Sequence, residues 1–248
     1  MKTIKFLLVC EGPTDIAFLK ELSSKIGEDF NAAIELIELS PERDATTNQY
    51  PSHGWPGVRS WCRKWKRKTP EELEKVPSHF IELMRRRYWK ALIDINGANG
   101  LIIQMDTDIA EQLCDLDCHF TDYEGTRRSY CQKAILSWLG ESAETLNRAY
   151  LLLPSFAIET WLLATHDPDE TVFDDLDKPF NYEELLDVEN RLIAIGYAAK
   201  EVSGKKRLKK QSKRYKNYGK IVFPKFHNVK QRCTEADYFY QILTNHFS

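Results

Sequence analysis

Four acids in this chain stand just where an apolar run stops. Glu11 and Asp15 follow IKFLLVC at residues 4–10, and Asp106 and Asp108 follow LIIQM at residues 101–105. Short apolar runs bounded by turn residues read as buried strands. In an open parallel sheet, chemistry gathers beyond the carboxyl ends of the strands. If these two strands are neighbours, Glu11 and Asp106 sit side by side at one sheet edge. Asp106 and Asp108 are two apart on a loop leaving a strand, so both can turn toward one centre. Carboxylates this close repel and raise each other's pKa. A hard divalent cation such as Mg²⁺ or Mn²⁺ relieves that repulsion. One or two such ions can activate a water and stabilise displacement at a phosphodiester. Each acid taken alone has a plainer reading: an Asp after a strand is often a helix N-cap or a solvated turn. Glu11 before Gly12-Pro13 also fits an ordinary turn. The joint pattern favours the chemical reading.

The elements that must position these acids follow from periodicity. Ile16, Phe18, Leu19, Leu22 and Ile26 have helical spacing, with Thr14 as the expected N-cap. Residues 33–39 alternate as a second strand. Pro41, Pro51, Gly54, Pro56 and Gly57 mark a loop. It opens an insertion over 41–95, with two basic, aromatic-rich helices expected at 58–67 and 71–93. Trp61 and Trp65 are one helical turn apart and share a face, read first as core packing. His53, beside Gly54, reads first as a loop residue and only second as a catalytic one. A strand at 101–105 delivers Asp106-Thr107-Asp108. A helix is expected at 126–139, a strand at 149–153 stopped by Pro154, and a helix from Ala157 to Thr165. Such alternation predicts an α/β core with a mostly parallel sheet flanked by helices. The core spans 1–165 including the insertion. A C-terminal extension spans 166–248 and closes with an aromatic helix from Glu235 to Phe247.

The chain has 248 residues, 42% of them hydrophobic, enough for a full core. No apolar run reaches the length of a membrane span, so no membrane is expected. Phe6 to Cys10 is too short an apolar stretch for a signal peptide, and the scattered cysteines suggest no disulfide framework. A cytoplasmic protein with reduced thiols is the expectation. The net charge of −2 predicts no partner, but charge is segregated. Nine Lys or Arg and no acid lie between Lys205 and Lys220. The plain reading is a solvated charged segment. The functional reading is a phosphate-tracking arm of Lys205, Lys206, Arg207, Lys209, Lys210, Lys213 and Arg214, with Tyr215 and Tyr218 free to stack on splayed bases if the substrate is single-stranded.

Here the residues carry a resemblance. LLVCEGPTDIAFLKEL resembles the opening of a TOPRIM domain: an apolar strand, Glu-Gly, an Asp a few residues on, and an apolar helix. LIIQMDTDIAE resembles that domain's second signature, a strand ending in Asp-x-Asp. LLLPSFAIETWLLA is similar to the segment after the last core strand in small OLD-like TOPRIM proteins. The likeness covers about residues 3–26 and 100–165. It implies a Mg²⁺- or Mn²⁺-dependent endonuclease acting on DNA or RNA, tRNA included. Glu11 would be the general acid or base and a metal-linked residue. Asp106 and Asp108 would be metal ligands, Glu159 a further ligand, and Asp15 a supporting acid in the same set. OLD-like nucleases also use a Lys from a C-terminal segment; Lys220 and Lys216 are the candidates, Lys220 preferred. The likeness further implies an effector of a bacterial anti-phage system. By that likeness alone a separate ATPase would be its partner; the chain shows no Walker A sequence of its own, and a homodimer is a further expectation.

Two rivals stand beside this. Asp106-Thr107-Asp108 also fits a haloacid-dehalogenase-like phosphatase, although that motif usually leads its core and Glu11 would have no task. A non-catalytic nucleic-acid-binding or regulatory subunit is the other, although a scaffold has no reason to collect mutually repelling acids.

Overall fold

The computed structural model describes residues 2–247 apart from 43, 45, 47–49, 51 and 52, so Pro51 of the expected loop lies outside the described residues. In chain order the regular elements are β1 (Lys2–Val9), α1 (Pro13–Asp29), β2 (Ala32–Ser40), α2 (Trp55–Lys64), α3 (Pro70–Glu74), α4 (Ile81–Arg86), α5 (Trp89–Ile95) and β3 (Gly100–Gln104). Then come α6 (Arg127–Leu139), β4 (Ala149–Leu152), α7 (Glu159–Leu163), α8 (Val188–Ala194), β5 (Ala199–Val202), β6 (Lys205–Leu208), α9 (Ser212–Val222), α10 (Phe226–Arg232) and α11 (Thr234–Thr244). No helix of the described residues is long and apolar enough to cross a membrane. All six cysteines are free thiols.

The fold is α/β. Four parallel strands run in the order β2-β1-β3-β4, flanked by helices. Alternation along the strands sends side chains into two separate cores. Phe6, Leu8, Ile102 and Leu152 face one side with α1, α7, α9 and α11. Leu7, Val9, Ile103 and Leu151 face the other with α2, α5 and α6. The chain leaves β1 toward β2 on one side, and passes from β3 to β4 on the other. The strand order therefore reverses between β1 and β3, where Val9 pairs with Ile103. That junction is where an open sheet leaves a crevice.

Three local expectations need correction. The N-cap of α1 is Gly12, not Thr14, because Pro13 sits at the first helical position, where its fixed φ suits a helix start. The second insertion helix, expected at 71–93, is broken into α3, a short turn at Ser78–Phe80, α4 and α5. Pro77 cannot donate into a helix and biases Val76 away from helical backbone. The segment over 205–220 is ordered structure, not a free charged arm: β5 and β6 form an antiparallel hairpin and α9 follows. Within the insertion, Trp61 and Trp89 are buried and Trp65 packs against the same core cluster.

The C-terminal segment completes one of the cores. Leu208, Tyr215, Val222, Phe226 and Phe239 share a cluster with Phe6, Leu8 and Phe18. α9 crosses α1 at Gly219, where an added Cβ would meet the Phe18 carbonyl oxygen at 2.9 Å. On α11, buried Glu235 accepts the Leu153 N–H at 2.8 Å and pairs with Arg128. The two ends of the chain meet: Lys2 Nζ donates to the His246 carbonyl at 2.6 Å, and Phe6 packs edge-on against the His246 ring.

Candidate functional site

Glu11 and Asp106 leave adjacent strands and are locked together by three hydrogen bonds. The Asp106 N–H donates to Glu11 Oε1 at 3.0 Å. Buried Gln104 accepts the Glu11 N–H at 3.3 Å, and its Nε2 donates to Asp106 Oδ1 at 2.8 Å. The Glu11 carbonyl accepts the Gly54 N–H at 2.6 Å, which fixes the insertion loop against the same turn. Gly12 lets Asp15 fold back over the loop: a Cβ there would stand 3.2 Å from Asp15 Oδ2.

Asp106 occupies the N-cap position of a short 3-10 turn, Thr107–Gln112, but its side chain makes no capping bond. Its carboxylate is therefore not spent on the role that the plainer reading assigned it. Thr107 fastens this turn to the loop after β4. Its hydroxyl donates to the Pro154 carbonyl at 3.0 Å and accepts the Phe156 N–H at 2.9 Å. The Asp108 N–H donates to the Phe156 carbonyl at 3.2 Å. Asp108 itself is exposed. Glu111 lies outside the group, ion-paired to Arg127.

Glu159 opens α7 and is buried, at 5% exposure. Lys210 Nζ stands 2.9 Å from Glu159 Oε1, and the Tyr215 hydroxyl donates to the same oxygen. Glu159 Oε2 is buried with no partner among the described residues.

Burial is the largest electrostatic effect on the group. It pushes Glu11 up to about 8, with the Asp15 charge adding and the Asp106 N–H opposing. It pushes Asp15 up to about 7, with Glu159 adding and Lys210 opposing. Asp106 is raised well above the carboxylate range by burial, then by Glu11 and Asp15. Asp108, though exposed at the surface, is raised by partial desolvation, against the pull of Lys210. Glu159 is the exception. Burial raises it, but Lys210 and the Tyr215 hydroxyl outweigh burial and hold it below the usual range. Lys210 stays charged, since Glu159 more than offsets the desolvation of its ammonium.

Glu11, Asp15, Asp106 and Lys210 line one cleft of about 460 Å³, with Tyr50 and His53 on its insertion side. Among the described residues no three His, Cys, Asp or Glu side chains are drawn together tightly enough to hold an ion as they stand. The donor set nevertheless fits a hard divalent cation. It consists of carboxylate oxygens, several held at raised pKa by burial and then by mutual charge, beside an unpartnered buried Glu159 oxygen. Glu11, Asp15, Asp106, Asp108 and Glu159 are the residues that would hold it.

The basic candidates divide. Lys210 is the one that reaches the acids, a position the sequence assigned only to general phosphate contact. Lys216 and Lys220 do not line the cleft. The close crossing at Gly219 turns both toward Glu21 on α1, at 3.7 and 3.8 Å. Tyr215 and Tyr218 are 2% and 7% exposed, so neither is free to stack on a base. Lys205, Lys206, Lys213 and Arg207 are exposed; Arg207 pairs with Glu189, and Arg214 bonds Gln211. Lys209 is half-buried where the hairpin rejoins the body. Gln104 and Thr107 escaped the sequence reading. Their signal was faint: a polar residue at the end of an apolar strand, and a hydroxyl between two acids. None of the protein-family models, curated proteins or solved structures compared with the chain matches it.

Proposed function

We propose that this protein is a divalent-metal-dependent hydrolase of phosphodiester bonds in DNA or RNA, a TOPRIM-type nuclease of the OLD-like kind. One observation carries the reading: Glu11 and Asp106, at the carboxyl ends of the two strands where the sheet order reverses, are hydrogen-bonded together inside an acidic cleft that also holds Lys210. A bound Mg²⁺ or Mn²⁺ would neutralise phosphate charge and make a water more acidic. Glu11 Oε1 is engaged by the Asp106 N–H, which leaves Oε2 to take a proton. Burial and the neighbouring acids raise the carboxylate's affinity for a proton in the metal-free cleft. Lys210 brings a fixed positive charge to where charge grows on the phosphate. Glu159, itself held by the Tyr215 hydroxyl, keeps the Lys210 ammonium in place. An effector role in anti-phage defence, beside a separate ATPase, belongs to the same proposal and rests on the sequence likeness alone.

The test is cleavage of plasmid DNA and total tRNA in Mg²⁺ and in Mn²⁺, with metal binding followed by calorimetry. Glu11→Gln and Asp106→Asn are each expected to lose about 100-fold or more in rate. Absence of cleavage and of metal binding in wild type would sink the proposal. Turnover of a phosphomonoester that needs Asp106 but not Glu11 would favour the phosphatase chemistry instead.

A further inference from the structure

Lys210 borders two cavities. One is the acidic cleft. The other is a smaller pocket of about 210 Å³, which Asp108 also lines and whose apolar walls are Phe156, Leu186, Val188 and Leu208. Two features of those walls are unusual. Leu186 is 78% exposed despite its size and apolarity. Phe156 has φ 58, a left-handed backbone that a bulky side chain adopts only under constraint. That constraint is local: its N–H is held by Thr107 Oγ1 and its carbonyl by the Asp108 N–H. The ring position is thus tied through the backbone to Asp108. Arg127 lies over the ring, 5.2 Å from its centroid. Strain concentrated beside a candidate site is a pointer to function.

The pocket is smaller than the roughly 300 Å³ where drug-sized ligand sites begin, and suits one planar ring system. Arg207 Nη1 and Glu189 Oε2, 2.8 Å apart, add a donor group and an acceptor, as the edge of a base requires. The hairpin register sets Lys200 opposite Arg207 and Val202 opposite Lys205. Those residues share one face of the ribbon, so a basic track leads to the pocket.

We infer that this pocket receives one nucleobase of an unpaired nucleotide next to the scissile phosphate. The substrate is then single-stranded or locally opened nucleic acid. The inference rests on the phosphodiester reading above. A base stacked inside a duplex cannot enter such a pocket without leaving its stack. An unpaired base is held by aromatic and apolar walls largely independently of sequence.

The test is equilibrium binding of the full chain, with Ca²⁺ in place of Mg²⁺, to fluorescent oligothymidine and to an abasic strand of equal length. Both strands carry the same phosphates, so any difference reports the bases. Wild type is expected to prefer oligothymidine by about tenfold. Phe156→Leu and Leu186→Ser should each bring that preference close to parity and leave abasic affinity unchanged. Leu186 is exposed, so its variant keeps the fold, and melting curves check both. Equal wild-type affinity for the two strands overturns the pocket, as does failure to bind either strand. A preference that survives in both variants overturns it too. Cleavage by a wild type that treats the strands alike fails the pocket and spares the nuclease reading. A base preference without metal-dependent cleavage supports the pocket and fails that reading.

Discussion

Glu11 and Asp15 keep protons in the fold that they lose in the unfolded chain. Glu11 moves from 4.5 to about 8 and Asp15 from 3.8 to about 7. Between those values the unfolded state binds fewer protons, so stability falls as pH rises through about 4 to 8. In EDTA the melting temperature should therefore drop between pH 5.5 and 8.5. Mg²⁺ or Mn²⁺ should restore it, more at the upper end, since a ligand that binds only the folded state stabilises it. Glu11→Gln should melt higher than wild type at pH 8 in EDTA and gain less from metal. Thermal scans at several pH values decide this, and a melting temperature that rises with pH would contradict it. Lys210 carries a second residue-level prediction. Lys210→Met should cut cleavage about 100-fold, while Lys216→Ala and Lys220→Ala stay within a few-fold of wild type. Nothing in the charge run distinguishes Lys210 from its neighbours. Its place beside the acids arises because the hairpin ends next to Glu159, a contact across some 50 residues that spacing cannot reveal.

The 3-10 turn after β3 is fastened to the loop after β4 by backbone and side-chain bonds, and among the described residues Thr107 makes both of the side-chain ones. Thr107→Val keeps the shape and removes those bonds, leaving the Phe156 N–H without its acceptor. The expected cost is about 1–3 kcal/mol, with a melting temperature lower by about 3–8 °C. Metal affinity measured by calorimetry should weaken as well, because Asp106 and Asp108 flank the lost anchor. Unchanged affinity would mean that the acids are positioned by their strands alone. At this scale the sequence was informative where side chains repeat. The four core strands, read from short apolar runs and the alternation at 33–39, and α6 lie within a residue or two of their expected bounds, while α1 runs three residues past Ile26. The hairpin was harder. Ser203-Gly204 is a turn signal, but its strands are short and exposed, so no apolar alternation announced them. Tyr215, Tyr218 and Val222 do recur at helical spacing. Burial of that stripe was legible in principle, and the surrounding lysines obscured it.

At the scale of the whole molecule, the boundary near residue 165 does not divide two independent bodies. One face of the sheet is covered partly by α9 and α11, and Glu235 supplies the acceptor for the Leu153 N–H. A chain ending at Thr165 would expose Phe6, Leu8 and Phe18 to water and leave that N–H unpaired. It should show no cooperative thermal transition, whereas the full chain should melt in one step. Calorimetry of both settles the matter, and a sharp transition in the shorter chain would establish an autonomous core. The two chain ends meet at the amino end of β1, where Lys2 bonds His246. The acidic cleft lies at the other end of that eight-residue strand, roughly 26 Å away at the usual strand rise. A dye, an affinity handle or a fused domain on either terminus would therefore stand behind the sheet and leave the approach of a long polymer to the cleft open.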